Sequence, residues 1–197
     1  MQIDHLAVTC ADLDAGAAWV EAALGVRLQP GGRHALFGTH NQLLGLGSDL
    51  YLEVIAPDPA APAPERPRWF GLDRAGAPSL ANWIARTQTF EGRPETAGDV
   101  LSLARGDLSW EITVPADGNL TEGGAFPSLI RWLGDGHPAT RLPDSGVRLL
   151  QLEISTAEPA RIAGLMPALD DPRVVFRQGP ARLRAQFATA GGTRWLG

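Results

Sequence analysis

Two short, mostly apolar segments of the chain predict strands: "IDHLAV" at 3–8, which has a histidine in its middle, and "YLEVIAP" at 51–57, which has a glutamate there. Side chains alternate between the two faces of a strand, so Ile3, His5 and Ala7 share one face. Glu53 lies at the centre of the second segment in the same way. A polar group buried without a partner costs roughly 2 to 7 kcal/mol, so we expect His5 and Glu53 each to have a partner or to face a cavity.

Between these strands the pattern predicts one helix and two further strands. The segment "DLDAGAAWVEAALG" has apolar residues at helical spacing, with Asp12 as N-cap and Gly25 as C-cap. The segment "VRLQPGGRHALFG" predicts strand, a Pro-Gly-Gly turn and more strand, and "NQLLGLG" predicts another strand. Residues 1–56 therefore form a first β-α-β-β-β unit.

A Pro- and Ala-rich segment, 57–67, predicts an extended linker. In the middle unit, 68–146, "RWFGLD" predicts a short strand and "SLANWIART" a helix capped by Ser79. Two strands about a Gly-Asp turn follow in "DVLSLARGDLSWEITV", and "FPSLIRWL" predicts a final strand.

The last unit, 147–197, has the order β-α-β-β-β again, and an order that repeats along the chain indicates repeated structural units. The predicted fold class is α+β: one compact domain whose repeated β-α-β-β-β units form a curved mixed-sheet cup, with helices on its outer face.

Composition narrows the classes of partner. A net charge of −5 with scattered arginines argues against nucleic-acid binding. Cys10 is the single cysteine, which excludes an internal disulfide and a Cys-x-x-Cys metal site. The sequence shows no apolar run of about 18 residues and no signal-peptide pattern at its start, so we expect a cytoplasmic protein with no membrane partner.

A repeated β-α-β-β-β unit that opens with "DHLAV" and closes on a strand with a central Glu resembles the glyoxalase-like domain group of the vicinal oxygen chelate superfamily. The segment "AFPSLIRWL" with the following "HPA" is similar to that group's Pro-Phe-x-Ile-acid-Trp segment. The resemblance implies a divalent metal (Zn, Ni, Mn or Fe) bound by His5 and Glu53, because ligands in that superfamily come from the first and last strands of two units. It also implies a small-molecule ligand and is compatible with a homodimer.

The other units depart from this ligand pattern. In the middle unit Trp69 and Arg131 align with His5 and Glu53, and in the last unit Gln151 and Trp195 do. Which of the two units pairs with the first stays open. Trp cannot bind a metal, Arg131 is cationic, and Gln151 offers a carbonyl oxygen. Arg131 in the cup would favour a carboxylate or phosphate ligand, whereas its alternative is a salt bridge with Glu53.

The remaining candidates are a loop histidine and two tryptophans. His137 is either a third metal ligand or a second acid–base group in addition to Glu53, or else an ordinary loop histidine. Trp69 and Trp132 either wall a substrate pocket together with Arg131 and Gln151, or belong to the core. Two functions follow: a metal-assisted isomerase or lyase acting on a substrate with vicinal oxygens, and a metal-free small-molecule binding protein of the sequestration or resistance type.

Overall fold

The computed structural model describes all 197 residues, which form twelve strands, two α-helices and four short 3-10 helices. The strands are β1 (Gln2–Thr9), β2 (Gln29–His34), β3 (Thr39–Gly45), β4 (Tyr51–Pro57), β5 (Ser79–Arg86), β6 (Asp99–Arg105), β7 (Leu108–Val114), β8 (Ser128–Leu133), β9 (Arg148–Thr156), β10 (Val174–Gln178), β11 (Arg182–Thr189) and β12 (Gly192–Leu196). The α-helices are α1 (Leu13–Leu24) and α2 (Pro159–Gly164), and the 3-10 helices are Trp69–Arg74, Glu95–Ala97, Thr121–Gly124 and Pro138–Arg141. No helix is long and apolar enough to cross a membrane.

The first eight strands form one sheet with two similarly arranged halves. Its order is β2-β3-β4-β1-β5-β8-β7-β6. In each half the first and last strands pair in parallel, β1 with β4 and β5 with β8, and the halves join through the antiparallel pair β1–β5. The first unit therefore pairs with the middle unit, which answers the question left open by the sequence. The edge strands β2 and β6 approach each other, so the sheet curls into a cup.

Helix α1 follows its sequence prediction closely. Asp12 caps it by accepting a hydrogen bond from the Ala15 N–H at 2.8 Å, and Gly25 ends it in the left-handed region at φ 73°. Val20 and Leu24 are buried against the convex face of the sheet. Gly16 lies so close to the end of β1 that a Cβ there would stand 2.4 Å from Cys10 Sγ. The close packing of α1 on β1 fixes the end of the strand that carries His5.

The predictions for 68–87 are wrong. The segment "SLANWIART" is strand β5 and not a helix, and "RWFGLD" is a 3-10 helix and not a strand. Strand β5 lies between β1 and β8 and is buried on both faces over Asn82–Ala85. A strand buried on both faces shows a nearly continuous apolar run, which cannot be distinguished from a buried helix by periodicity.

The last unit forms a separate sheet of order β10-β9-β11-β12. Its chain order is β-α-β-β-β as predicted, but β9 pairs in parallel with β10 and not with the last strand. The middle unit has no α-helix to cover β5, and this second sheet covers it instead: β11 packs on β5, and Leu183 and Phe187 join Trp83 in one buried core.

Candidate functional site

His5 and Glu53 meet on the concave face of the cup. Strands β1 and β4 pair His5 with Tyr51 and Ala7 with Glu53, so all four side chains share that face. His5 Nε2 lies 3.7 Å from Glu53 Oε2, and both residues are buried. The sequence-predicted pair is therefore close together, at a distance that leaves room for contact with a ligand.

Asp4 is the residue that holds His5 in place. A register irregularity in the β1–β5 pairing falls between Ile3 and His5, and there the Asp4 side chain turns to the imidazole. Asp4 Oδ1 lies 2.7 Å from His5 Nδ1. A carboxylate at this distance accepts the Nδ1 proton, so the Nε2 lone pair is left facing Glu53.

The other carboxylate oxygen of Asp4 accepts three hydrogen bonds. Oδ2 accepts hydrogen bonds from Arg86 Nε at 2.8 Å, Trp132 Nε1 at 3.0 Å and His137 Nε2 at 3.2 Å. Burial alone would raise the pKa of Asp4, but the hydrogen bonds from His137 and His5 and their charges outweigh it and hold that pKa well below its usual range. Asp4 is therefore a buried anion at neutral pH.

Glu53 is held from behind by a second polar contact. Asn41 on β3 donates from Nδ2 to Glu53 Oε1, while its Oδ1 accepts from the Gly32 N–H at 2.7 Å. Because the Gly32 bond occupies the amide oxygen, the amide nitrogen must face the glutamate. A Cβ at Gly31 would stand 2.0 Å from Asn41 Oδ1, so this bond requires glycine there.

The two residues border a small cavity of about 30 Å³, room for about two water molecules. Trp69 and Trp132 are among its lining residues, and Trp69 also belongs to a buried core cluster. The cavity is lined by His5, His34, Asn41, Leu43, Tyr51, Glu53, Trp69, Phe70, Arg105, Trp110, Ile112, Ile130 and Trp132. Three stacked rings beside the cavity are here called the aromatic plug: Phe37 lies on Trp69 with centroids 4.2 Å apart, and Trp69 lies on Phe70 at 4.8 Å.

His34 and Arg105 form a polar contact in the cavity wall where β2 approaches β6. Arg105 Nη1 lies 3.1 Å from His34 Nε2, and His34 Nδ1 lies 3.2 Å from Thr39 Oγ1. Arginine only donates, so His34 Nε2 accepts and Nδ1 carries the proton. Burial first, and then the positive charges of Arg105 and His5, lower the pKa of His34 to about 3. His34 is thus a buried neutral acceptor.

Tyr51 supplies a donor to the same cavity. It lines the cavity, and its ring stacks on His5 with centroids 4.3 Å apart. Burial raises the pKa of Tyr51 well above its usual value, and the nearby Asp4 and Glu53 charges add to the shift. The phenol therefore keeps its proton and can donate it to a ligand.

Three residues that the sequence predicts for the site do not border the cavity: Arg131, Gln151 and His137. Arg131 is on the outer face of β8, because Ile130 and Trp132 face the cup and neighbours in a strand alternate. Its Nε donates to Glu111 at 2.8 Å, so it neither enters the cup nor pairs with Glu53. Gln151 is on β9 in the second sheet, which does not border the cavity.

His137 comes near the site but does not border the cavity. Its Nε2 contacts Asp4, and its Nδ1 accepts the Ala139 N–H at 3.2 Å. Both ring nitrogens are occupied, so it supports Asp4 and is not aimed at a ligand.

The residues present do not fit a catalytic metal. The two halves of the sheet are related by a half-turn about the Leu6–Trp83 pair, which places Asn82 where His5 lies and Ser128 where Glu53 lies. The middle-unit counterparts of His5 and Glu53 are therefore Asn82 and Ser128, and the predicted Trp69 and Arg131 are wrong. Asn82 Nδ2 donates to Ser128 Oγ at 3.0 Å, and its Oδ1 accepts the Trp83 N–H. Catalytic metals usually need three protein ligands. Of these four residues, only His5 and Glu53 have an atom free to ligate a metal. No cluster of three His, Cys, Asp or Glu residues is suited to a metal.

Comparison with known proteins places the fold. Residues 3–169 match the family model of the glyoxalase-like domain. A crystal structure of a hypothetical protein from Staphylococcus aureus has a TM-score of 0.59 and 13% sequence identity, covering 92% of this chain and 87% of that one. Methylmalonyl-CoA epimerase from Mycobacterium tuberculosis has a TM-score of 0.42 and 21% identity, covering 68% and 88%. The likeness to the Staphylococcus aureus protein concerns the fold alone. The search of curated proteins found no match.

Sequence reasoning missed Asp4, Asn41 and Arg105. The "DH" pair in "IDHLAV" gave no signal, because strict alternation places Asp4 on the opposite face and the local irregularity cannot be read from the pattern. Asn41 and Arg105 reach the site only through strand pairing and curling of the sheet.

Proposed function

The chain belongs to the glyoxalase-like domain family, and we propose that it is a small-molecule enzyme that moves a proton on a substrate with vicinal oxygens, with His5 and Glu53 as its acid–base pair. The observation that carries the proposal is the placement of the two groups. His5 Nε2 and Glu53 Oε2 are 3.7 Å apart at one cavity, and each is fixed from behind, by Asp4 and by Asn41.

The arrangement suits removal of a proton from a carbon next to a carbonyl. Glu53 is the base, because its Oε2 makes no hydrogen bond and lies at the cavity wall. His5 accepts or returns a proton at Nε2 on the neighbouring oxygen, and Asp4 stabilises the imidazolium that forms. Positioned acid–base groups of this kind typically contribute about 10² to 10⁴ in rate. The product would be an isomer, an epimer or the fragment of a lyase step.

Charge that develops on the substrate oxygens needs hydrogen-bond donors. Tyr51 keeps its phenolic proton, and Arg105 brings a positive charge to the cavity wall. Donors fixed in advance in a buried site stabilise an enediolate or oxyanion strongly. Members of the wider superfamily often bind divalent metals, yet here the available donor atoms of the protein support proton transfer by side chains instead.

Binding requires the aromatic plug to move. Small-molecule pockets usually measure about 300 to 1,000 Å³, roughly 10 to 30 times the volume of the cavity of about 30 Å³ found here. Phe70 has φ 57°, a left-handed conformation that costs a non-glycine residue about 1 to 2 kcal/mol. Such strain often occurs at functional sites, and relaxing Phe70 outward would open the cup.

The test is exchange of substrate protons with solvent. The protein is incubated in D2O with 2-oxo and 2-hydroxy carbonyl compounds of three to six carbons, and loss of the C–H signal next to the carbonyl is followed by proton NMR. We expect exchange by the wild type, and loss of at least about 100-fold in Glu53→Gln. Ser128→Ala, at the symmetry-related position outside the cavity, is the matched control and should keep the wild-type rate. Equal rates in wild type and Glu53→Gln would contradict the proposal.

A metal-free binding protein is the second candidate. The walls favour it, since Trp69, Trp110 and Trp132 line one cavity and aromatic walls are common in ligand sites. It predicts binding that persists in Glu53→Gln, with no exchange of ligand protons by the wild type.

A further inference from the structure

Arg105 is a cation without an acidic partner. Its guanidinium lines the cavity from β6 and makes one side-chain hydrogen bond, to His34, and no salt bridge. Arginine has five N–H donors, so most of them are free. Most other buried or half-buried cations near the cup are neutralised, as Arg86 is by Asp4 and Arg131 by Glu111. An unneutralised guanidinium at a cavity wall is suited to an anionic ligand.

A second unsatisfied donor belongs to the same wall. The indole N–H of Trp69 is buried and has no acceptor, although Trp69 is only 3% exposed. A buried donor without a partner costs about 1 to 3 kcal/mol, so such groups are rare and call for an explanation. A ligand oxygen bound beside Arg105 would supply the missing acceptor.

His34 holds Arg105 in a fixed orientation. Its Nδ1–H bonds to Thr39 and its Nε2 accepts from Arg105, and as a neutral ring it does not repel the guanidinium. The cavity also contains the carboxylate of Glu53, which opposes a doubly charged ligand. One guanidinium and one N–H therefore suit a singly charged carboxylate better than a phosphate.

We propose that Arg105 and the Trp69 indole N–H bind a carboxylate group of the substrate, which makes the substrate a small 2-oxo or 2-hydroxy carboxylate. The inference rests on the proposed function for the reacting end of the substrate. Arg105 reaches the cavity from β6 and Glu53 from β4. A carboxylate held at Arg105 leaves the 2-oxygen of the substrate for His5, and leaves for Glu53 the C3–H of a 2-oxo acid or the C2–H of a 2-hydroxy acid.

The experiment follows the indole signals of ¹⁵N-labelled protein during titration with acetate and pyruvate, and with acetamide and pyruvamide as neutral counterparts. Trp69→Phe identifies the Trp69 signal. Trp83 is an internal control, because its buried indole N–H also lacks an acceptor but lies on the convex side. We expect the carboxylates to move the Trp69 signal downfield in a saturable manner, with Trp83 unchanged and the amides at least about tenfold weaker.

Two arginine variants locate the charge. Arg105→Gln should weaken carboxylate binding by about tenfold or more, whereas Arg131→Gln, the matched variant on the outer face, should bind as wild type does. Equal response to carboxylates and amides, or unchanged binding in Arg105→Gln, would overturn the proposal.

The same titration separates this inference from the proposed function. If pyruvate binds through Arg105 but its protons do not exchange with solvent, the carboxylate site stands and the acid–base role fails. If exchange depends on Glu53 but not on Arg105, the acid–base role stands and the carboxylate site is wrong.

Discussion

Replacing Asp4 with Asn tests the buried network behind His5. The Asp4 side chain is fully buried and accepts from four groups: His5, Arg86, Trp132 and His137. Asn has the same shape but no charge, and its NH2 would face at least one donor. Removing one partner from a buried ionic contact typically costs about 3 to 5 kcal/mol. Arg86 is 36% exposed, so solvent screens its share and we expect a loss near the lower end, about 3 kcal/mol.

The assay is urea unfolding followed by tryptophan fluorescence and circular dichroism. A loss of about 3 kcal/mol leaves a domain of ordinary stability folded but with a clearly lower midpoint. Asp107→Asn is the control, because Asp107 pairs with Arg141 at the surface and its loss should leave the midpoint unchanged. An Asp4→Asn midpoint within error of the wild type would refute the view that Asp4 is a satisfied buried anion.

Three further predictions concern neighbouring groups. Gly31→Ala should displace Asn41 from Glu53 and reduce proton exchange far more than Gly76→Ala, where a Cβ meets open space; equal rates would contradict the Asn41 contact. His34 stays neutral when folded but protonates near pH 6.5 when unfolded, so its contribution to stability should be full above about pH 6.5 and decline towards pH 3. NMR titration of its ring checks this, and a midpoint near 6.5 in the folded protein would contradict it. Burial, and then the Asp12 charge, raise the pKa of Cys10 to about 11, so thiol reagents at pH 8 should label it only after urea unfolding; rapid labelling of native protein would contradict this burial.

Where one face of a helix is buried and the other is exposed, the hydrophobic pattern predicted the element well. Helix α1 is of this kind, and its caps are at Asp12 and Gly25. The pattern failed at β5, where burial on both faces removes the alternation that identifies a strand. The parallel pairing of β9 with β10 was not predicted, since chain order alone does not determine which strands are neighbours.

The site was predictable as far as its first two residues. His5 and Glu53 follow from the strand pattern together with the family resemblance. Placing Arg131 in the cup required an alignment of "LIRWL" with "YLEVI", and the register of β8 with β5 shows that Ser128 is the counterpart of Glu53. The supports of the site, Asp4 and Asn41, depend on a strand irregularity and on a cross-strand contact that no spacing in the sequence encodes.

The central claim, that protein side chains transfer the proton without a metal, is tested most directly by the exchange rate of protein stripped with a chelator. The metal content is measured by elemental analysis, and proton exchange is then followed in D2O before and after addition of Zn²⁺, Ni²⁺, Mn²⁺ or Fe²⁺. The account predicts that the stripped protein exchanges at the wild-type rate and that added metals do not raise it. Loss of exchange on chelation, with recovery on adding back one of these ions, would contradict it.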